Sequence, residues 1–166
     1  MMHSQVLHWV GTSLNEWGLA RHGLRVLEFG SLDINGSVRS IIEPISAQYV
    51  GVDMQSGPGV DVIGDAASYR TSDRFDVVVC CEVFEHTPQW RQIIDNSHDH
   101  LVNGGLFVAT MAGEGRRPHS AIDEQGIRDW EYYANVGAWE LRRSLARFSK
   151  SSVDYHGFDL RCWAVK

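Results

Sequence analysis

Four residues in the middle of this 166-residue chain could act on a ligand: two histidines could transfer a proton, and Glu82 or Glu85 could orient the ligand or cap the helix that begins near Pro88. Glu82, Glu85 and His86 directly follow the apolar run Phe75–Cys81, and His119 lies further along in a polar stretch. An imidazole changes its charge close to neutral pH, so it can accept a proton from a reacting group. His86 is therefore the first candidate for a general base, and His119 is the second. The alternative for His86 is structural, a hydrogen bond that fixes the loop around it.

The polar stretch from residue 113 to residue 135 is the second region that could act on a substrate. A loop of this length in so small a domain is typical of a lid or a binding loop. Its aromatic rings could stack on a planar substrate, and its arginines could hold an anionic group. The candidate substrate-binding residues are Glu85, Arg117, Trp130 and Tyr132, and Tyr132 is also a candidate catalyst. Alternatively, Trp130 and Tyr133 simply pack the loop onto the domain.

A strand, a glycine turn and a helix precede these two regions. The apolar run Leu24–Phe29 predicts a buried strand, and Gly30 allows a sharp turn after it. Helical spacing begins after Gly36 and stops at Pro44. This arrangement brings backbone N–H groups and a helix N-terminus towards a ligand at the carboxyl edge of a sheet. A tight turn that binds nothing is the alternative.

Asp53 ends a second predicted strand, over residues 48–53. A carboxylate at this place can accept hydrogen bonds from both hydroxyls of a ribose. The turn at Gly30 lacks the G-x-G-x-x-G pattern of dinucleotide-binding proteins, which disfavours NAD-dependent redox chemistry. The turn and the acid together therefore indicate a nucleoside-containing ligand that has no pyrophosphate.

This pattern resembles motifs I and II of the class I S-adenosylmethionine-dependent methyltransferases. The first loop of that family is usually E/D-x-G-x-G-x-G, and here it is Glu28-Phe-Gly30-Ser-Leu32-Asp-Ile-Asn-Gly36. Leu32 replaces the second glycine of the motif, and the loop is longer than usual. The segment from Glu82 to His86 resembles the family's motif after the fourth strand, and it is the most specific match in a resemblance that covers essentially the whole chain.

The resemblance implies S-adenosylmethionine as the cofactor and methyl transfer by in-line displacement at its sulfonium. In the family, an acid at the place of Asp65 lies near the adenine, although Asp65 is equally suited to cap a helix. The implied cofactor-binding residues are Glu28, Gly30, Ser31, Gly36, Asp53, Met54, Asp65, Ala66, Cys81 and Glu82. The reaction demands neither a metal nor a covalent nucleophile, and no metal site is expected.

The strand pattern and the resemblance predict an α/β protein with a Rossmann-like doubly wound sheet. Its seven strands should follow the order 3-2-1-4-5-7-6, with the last strand antiparallel and helices on both faces. Residues 1–166 should form a single domain, with a leading helical segment at 1–22 and the lid or substrate loop at 113–135. The leading segment either packs on the sheet or caps the ligand pocket.

Several element boundaries follow from turn residues and spacing. Residues 4–18 should form a leading helix, or two short ones broken at Gly11, and the third strand should cover residues 60–63. The helix that begins near Pro88 should extend to Leu101, with residues 103–105 as its cap and turn before a strand at 106–111. A helix over 136–148 and two strands near 152–155 and 158–165 complete the prediction.

The composition is that of a soluble globular protein, with 43% apolar residues and a net charge of −6, which disfavours nucleic acid as a partner. The C-terminal third from Arg116 carries nine basic and seven acidic residues, and the rest carries six and fourteen. Three cysteines without disulfide or metal spacing suit a reducing cytoplasm. The sequence shows neither a signal peptide nor a membrane-spanning run.

These features predict an enzyme that methylates a small molecule, with the acceptor held by the loops. The altered glycine loop and the small size motivate a second hypothesis, a catalytically inactive S-adenosylmethionine-binding partner subunit with a structural or regulatory role. A homodimer or a partner subunit could complete the acceptor site in either case.

Overall fold

The sheet explains how the chain brings distant residues together. A computed structural model describes residues 4–19, 21–123 and 125–166. Seven strands lie in the order β3-β2-β1-β4-β5-β7-β6, with β7 antiparallel to both β5 and β6. This confirms the predicted Rossmann-like topology. The strands are β1 Leu24–Phe29, β2 Ser46–Asp53, β3 Val62–Ile63, β4 Phe75–Cys81, β5 Leu101–Ala112, β6 Lys150–His156 and β7 Asp159–Val165.

Within the described residues, four α-helices flank the sheet on both faces. They are α1 Ser4–Glu16, α2 Arg39–Ile42, α3 Trp90–His100 and α4 Ala138–Ser144, and the segments Glu43–Ile45 and Phe84–His86 are short 3₁₀ helices. One buried cluster joins α3 and α4 to the sheet through Ile93 and Leu141. The other joins α1 and α2 to the sheet through Val10 and Ile42. None of the helices in the described ranges has the length and apolar character that a membrane crossing requires.

Strand β4 occupies the centre of the sheet because it is apolar on both faces. Its residues alternate between the two clusters, so Cys80 packs with α3 and α4 while Cys81 packs with α1 and α2. Val78 pairs with Leu27 of β1 on one side and with Phe107 of β5 on the other. Continuous β-branched and apolar runs of this kind are typical of parallel strands buried between helical layers.

Helices α1 and α3 both end earlier than the sequence predicts. Helix α1 continues through Gly11 without a break and ends at Glu16, since one glycine in a helix that buries an apolar face is tolerated. Helix α3 ends at His100, and Leu101 is already extended, with φ −74° and ψ 147°. The helix therefore stops one residue earlier than its apolar spacing predicted.

Residues 103–105 are not the predicted helix cap, because they lie inside β5. Gly104 has φ +79°, and its N–H donates to the carbonyl of Lys166 at 3.0 Å. The β4–β5 register shifts between Phe75 and Val77 at the same level. The glycines thus allow an irregularity within the strand instead of a turn before it.

Two further elements, β3 and α4, are shorter than predicted. Strand β3 contains only Val62 and Ile63, because the preceding Asp61 turns its side chain towards the backbone of β2. Helix α4 ends at Ser144 rather than continuing to residue 148. Within α4 the predicted apolar position Trp139 is 62% exposed.

Arg39 ties α2 to the strand layer beside the glycine turn. Its guanidinium donates to the Asp61 carboxylate at 2.8 Å and to the Gly59 carbonyl at 2.9 Å. The Glu43 carboxylate accepts a third hydrogen bond at 2.7 Å. Asp61 in turn accepts from the Gly51 N–H of β2 at 2.7 Å. The planar guanidinium donates hydrogen bonds to several acceptors at once. A single side chain therefore fixes the short helix α2 on the sheet.

We expect Arg39→Ala to lower the free energy of unfolding by about 1–3 kcal/mol, because it removes the several hydrogen bonds of a charged donor that is itself largely buried. The matched control is Arg147→Ala. Arg147 also contacts two carboxylates, those of Asp95 and Asp99, but its side chain is 48% exposed against 19% for Arg39. The control should lose less than about 1 kcal/mol. Urea denaturation of both variants measures the difference, and equal losses would contradict the role given to Arg39.

Candidate active site

A cavity lies where the carboxyl ends of β1, β2 and β4 meet. Parallel strands of a doubly wound sheet place their ligand sites at this edge. The cavity wall contains ten of the residues predicted from the sequence. They are Gly30, Gly36, Asp53, Met54, Asp65, Ala66, Cys81, Glu82, His86 and His119. The structure therefore brings most of the predicted cofactor-binding residues to one place, together with both histidines.

The other predicted site residues lie outside the cavity wall. Glu28, Ser31 and Glu85 are buried in the protein beneath it, whereas Trp130 and Tyr132 are 72% and 42% exposed. The exposure of Trp130 contradicts the interpretation that its ring packs the loop onto the domain. Arg117 is also absent from the wall, and its neighbour Arg116 takes that place.

Gly30 makes the turn that follows β1. Its φ is +77°, and its N–H donates to the Val52 carbonyl at 2.9 Å. A Cβ atom built on Gly30 would lie 2.1 Å from Cγ2 of Val83. Both the backbone conformation and the contact therefore require glycine here. Leu32, which replaces the second glycine of the resembled motif, lines the cavity with its side chain.

Asp53 holds the loops on both sides of its own strand end. One carboxylate oxygen accepts from the Leu32 N–H at 3.1 Å, and the other accepts from the Gln55 N–H at 2.9 Å. Each oxygen keeps a further lone pair, so the carboxylate can accept two more hydrogen bonds from a ligand in the cavity. The geometry is compatible with the predicted contact to a pair of ribose hydroxyls.

Asp65 has the local role that the sequence allowed as an alternative. Its carboxylate accepts from the Ala67 N–H at 2.8 Å, and its carbonyl accepts from Ser68 and Tyr69. The side chain also lies on the cavity wall, next to Ala66. Capping the turn does not exclude contact with a ligand, because one oxygen of the carboxylate remains available.

Glu82 has an unusual backbone conformation at the end of β4. Its φ is +56°, the only positive φ of a non-glycine residue in the described ranges. Its N–H donates to the Thr110 carbonyl at 2.8 Å, and its carboxylate accepts from the Thr110 hydroxyl at 2.7 Å. Burial raises the pKa of the Glu82 carboxyl. Strained conformations of this kind persist where the surrounding structure fixes them, and they are frequent at functional sites.

His86 and His119 face each other across the cavity rim. Their ring centroids are 5.1 Å apart, and the ring of Tyr133 lies 5.5 Å from His86 and 5.1 Å from His119. Burial lowers the pKa of His86 to about 4, and the neighbouring His119 adds to this effect. The His86 imidazole is therefore neutral at pH 7 and has a lone pair available.

Arg116 is the basic residue on the cavity wall. Its guanidinium pairs with the carboxylate of Asp159 on β7, and Asn135 donates to its carbonyl at 3.0 Å. Burial raises the pKa of Glu82 and of Glu85, and the positive charge of Arg116 offsets part of that rise. Arg116 thus partly offsets the negative charge at this side of the cavity.

Thr110 was not identified from the sequence as part of the site, although it carried a signal, because a hydroxyl inside the apolar run of β5 requires a partner when it is buried. Tyr133 and the arginines of the loop were candidates for stacking, packing or anion binding, but nothing in an irregular loop shows that Tyr133 and Arg116 turn inward. The cavity wall also includes Val6 of α1, so the leading helix both packs on the sheet and reaches the site.

Glu28 lies 2% exposed on β1, behind the glycine turn. Its carboxylate accepts from the Tyr49 hydroxyl at 2.8 Å. Burial raises the pKa of Glu28 to about 7, although the hydrogen bond from Tyr49 and the charge of Arg39 work in the opposite direction. The acid of the first motif thus supports the wall of the site from inside the protein.

The fold and the position of this cavity are those of the class I methyltransferases. Residues 12–152 match the family of methyltransferase domains, and the chain belongs to that family. This confirms the resemblance found in the motifs. No curated protein sequence matches the chain significantly.

Solved methyltransferase structures share the fold at low sequence identity. N-methyltransferase NodS from Bradyrhizobium japonicum WM9 is 17% identical, with 100% of this chain and 99% of that chain covered and a TM-score of 0.62. Magnesium protoporphyrin IX methyltransferase (ChlM) from Synechocystis PCC 6803 is 16% identical, with 98% and 78% covered and a TM-score of 0.65. The 1,6-didemethyltoxoflavin-N1-methyltransferase of Burkholderia thailandensis is 14% identical, with 98% and 77% covered and a TM-score of 0.68.

We expect the buried Glu28 carboxyl to make stability fall as pH rises. A group whose pKa rises from 4.5 to about 7 on folding contributes its full stabilisation below pH 4.5 and loses it as pH rises through 7. Glu28→Gln keeps an acceptor for Tyr49 without this titration. Relative to the variant, the wild type should therefore lose about 3 kcal/mol of unfolding free energy between pH 4.5 and pH 8.

Urea denaturation at several pH values measures this difference. The matched control is Glu16→Gln, at the exposed end of α1, whose profile should run parallel to that of the wild type. A Glu28→Gln profile that also runs parallel to the wild type would show that Glu28 does not titrate in this range.

Proposed function

We propose that this protein transfers the methyl group of S-adenosylmethionine to a small-molecule acceptor. The observation that carries the proposal is the convergence of the Gly30 turn and Asp53 on one cavity at the carboxyl edge of the sheet. The turn lets the backbone approach a ligand closely, and the acid suits the hydroxyls of a ribose. Membership of the methyltransferase family supports the same conclusion.

Different residues of the cavity fit different parts of S-adenosylmethionine. Asp53 would accept from the ribose hydroxyls, and Asp65 with Ala66 would contact the adenine. Gly30 and Gly36 would give the methionine end access to the loop backbone. Glu82 places a carboxyl group on the same wall, and a negative charge there favours a ligand that carries a sulfonium and an ammonium group.

When bound, S-adenosylmethionine supplies a methyl group that its positive sulfonium already activates for displacement. The protein has to align the acceptor with this methyl group, exclude water and, where the acceptor requires it, remove a proton. His86 and His119 are the candidates for that proton transfer, since both rings lie on the cavity wall. Tyr132 is a weaker fit for catalysis because it lies outside the wall.

The loop 113–135 forms the acceptor side of the cavity. Arg116, His119, Ser120 and Ala121 from this loop complete the wall opposite the sheet edge. The loop is tied to the domain, since the Ala134 N–H donates to the Glu85 carbonyl at 2.9 Å. We propose that this loop, rather than a separate domain, selects the acceptor.

The solved neighbours support a small molecule as the acceptor. NodS has a structure in complex with S-adenosyl-L-homocysteine, and ChlM has one with bound S-adenosylmethionine. The enzyme from Burkholderia thailandensis was solved with 1,6-didemethyltoxoflavin and S-adenosylhomocysteine. The net charge of −6 points in the same direction, because a nucleic-acid substrate favours a basic surface.

We expect S-adenosylhomocysteine to bind the purified chain, and Asp53→Ala to weaken this binding by about 1–3 kcal/mol, which is roughly 5- to 150-fold in affinity. Isothermal titration calorimetry measures the change, with NAD as a ligand that should not bind. Asp154→Ala on the exposed edge strand β6 is the matched control and should bind like the wild type. Equal affinity of the Asp53 and Asp154 variants would remove Asp53 from the donor site.

A turnover assay distinguishes the hypothesis of an active enzyme from that of a catalytically inactive partner subunit. The chain should release S-adenosylhomocysteine from S-adenosylmethionine when small molecules with hydroxyl or amine nucleophiles are supplied. Binding of the donor without turnover of any acceptor, alone or in a cell extract, would favour the hypothesis of a catalytically inactive partner. Failure to bind S-adenosylhomocysteine at all would overturn the proposed function.

A further inference from the structure

Three potential metal ligands from two distant segments converge at the rim of the cavity. One carboxylate oxygen of Glu85 and one ring nitrogen each of His86 and His119 all lie within 4.8 Å of one another. The first two residues belong to the short 3₁₀ helix after β4, and His119 comes from the loop 113–135. No metal is expected from the sequence, because the reaction that the resemblance implies does not demand one.

Glu85 is the second observation that points to a ligand. The residue is 0% exposed, and neither carboxylate oxygen accepts a well-formed hydrogen bond from the residues that the structure describes. Burial raises the pKa of this carboxyl group, and the nearby backbone N–H groups of Glu85 and Ala112 offset only part of that rise. A buried carboxyl group without partners is strongly unfavourable, so such groups are normally paired or bound to a metal. Its neighbours in the cluster are the imidazoles of His86 and His119, and a cation between the three groups would be bound by all of them.

We propose that Glu85, His86 and His119 bind a divalent transition-metal ion, with Zn²⁺ as the first candidate. Two imidazoles and one carboxylate are ligands that suit Zn²⁺, Fe²⁺ or Ni²⁺ better than Mg²⁺ or Ca²⁺, which take oxygen ligands. The nearby carboxylate of Glu82 adds negative charge to the site.

The geometry requires only side-chain adjustment. Ligands that share one ion at about 2.1 Å lie roughly 3–3.5 Å apart, so the three atoms must close by at most about 2 Å. His119 lies on a loop. A change of its rotamer can bring its ring closer to Glu85 and His86, which the 3₁₀ helix holds in place. Tyr133 packs against both histidine rings and holds them in this region.

The remaining coordination positions would face the cavity, because His86 and His119 both line it. This consequence rests on the proposed function. An acceptor hydroxyl bound to the ion would lose its proton more easily, and the proton would pass to solvent. The oxygen lone pair would then form the bond to the methyl carbon while the carbon–sulfur bond breaks and its electron pair stays on the sulfur. The bound metal would thereby replace His86 and His119 in promoting deprotonation, and it favours acceptors with a hydroxyl group.

The test is a titration of the untagged, chelator-treated full-length chain with Co²⁺, followed by its visible absorption, and then competition with Zn²⁺. The three cysteines are buried inside strands and do not compete as ligands. Wild type should bind one equivalent, and Zn²⁺ should raise its melting temperature by mass action. His119→Ala and Glu85→Gln should each weaken binding at least about tenfold.

Two comparisons separate a metal ligand from a structural residue. His22→Ala, in the exposed turn before β1, is the matched control and should bind like the wild type. Glu85→Gln removes a buried acid, so without metal it should melt at the same temperature as the wild type or higher, while its metal affinity falls. A merely structural Glu85 would give a lower melting temperature and unchanged metal binding.

The metal proposal fails if the wild type binds no Co²⁺ or Zn²⁺, or if the site variants bind like His22→Ala. Binding of S-adenosylhomocysteine to the metal-free chain is measured in parallel. Metal binding without binding of S-adenosylhomocysteine would contradict the proposed function and leave the metal site standing. The reverse outcome would contradict the metal site alone.

Discussion

The left-handed backbone of Glu82 is the constraint on which the site depends. Strand β4 must leave the sheet at this residue, and two hydrogen bonds to Thr110 hold the turn in place. From this fixed point the short helix Phe84–His86 places Glu85 inside the protein and His86 on the cavity wall. A relaxed backbone at Glu82 would send both side chains elsewhere, so the strain positions two of the candidate site residues.

Three buried acidic residues lie near the sheet edge, and their carboxyl groups differ in the hydrogen bonds that they accept. Glu28 accepts from Tyr49, and Glu82 accepts from Thr110. Glu85 has no such donor among the described residues. Burial raises the pKa of all three carboxyl groups. Keeping them charged inside the protein without a cation nearby therefore lowers the free energy of unfolding. A cationic ligand relieves this cost, whether it is the sulfonium of a donor or a metal ion, and binding is therefore coupled to stability.

The sequence predicts the sheet well because local signals and topology agree there. The apolar runs of β1 and β4, the turn at Gly30 and the acid at Asp53 each indicate the same strand-end site, and the structure brings them together. Predictions failed where tertiary contacts decide, as at residues 103–105, which join β5 through a bond to Lys166. Nor does any spacing along the chain connect His119 with Glu85. That contact depends on how an irregular loop folds back over the sheet.

The division between sheet and loop also explains how this chain can share a fold with proteins to which it is 14–17% identical. The sheet edge fixes the position of the glycine turn and of the acidic residues. Under the proposed function, these are the groups that hold S-adenosylmethionine. The loop 113–135 carries few constraints from the core, because its contacts to the domain are mainly hydrogen bonds and ring packing at the rim. Under the proposed function, Arg116 and His119 could change with the acceptor while the donor side stays intact. Acceptor choice would then be a property of the loop and of the side chains that it turns towards the cavity.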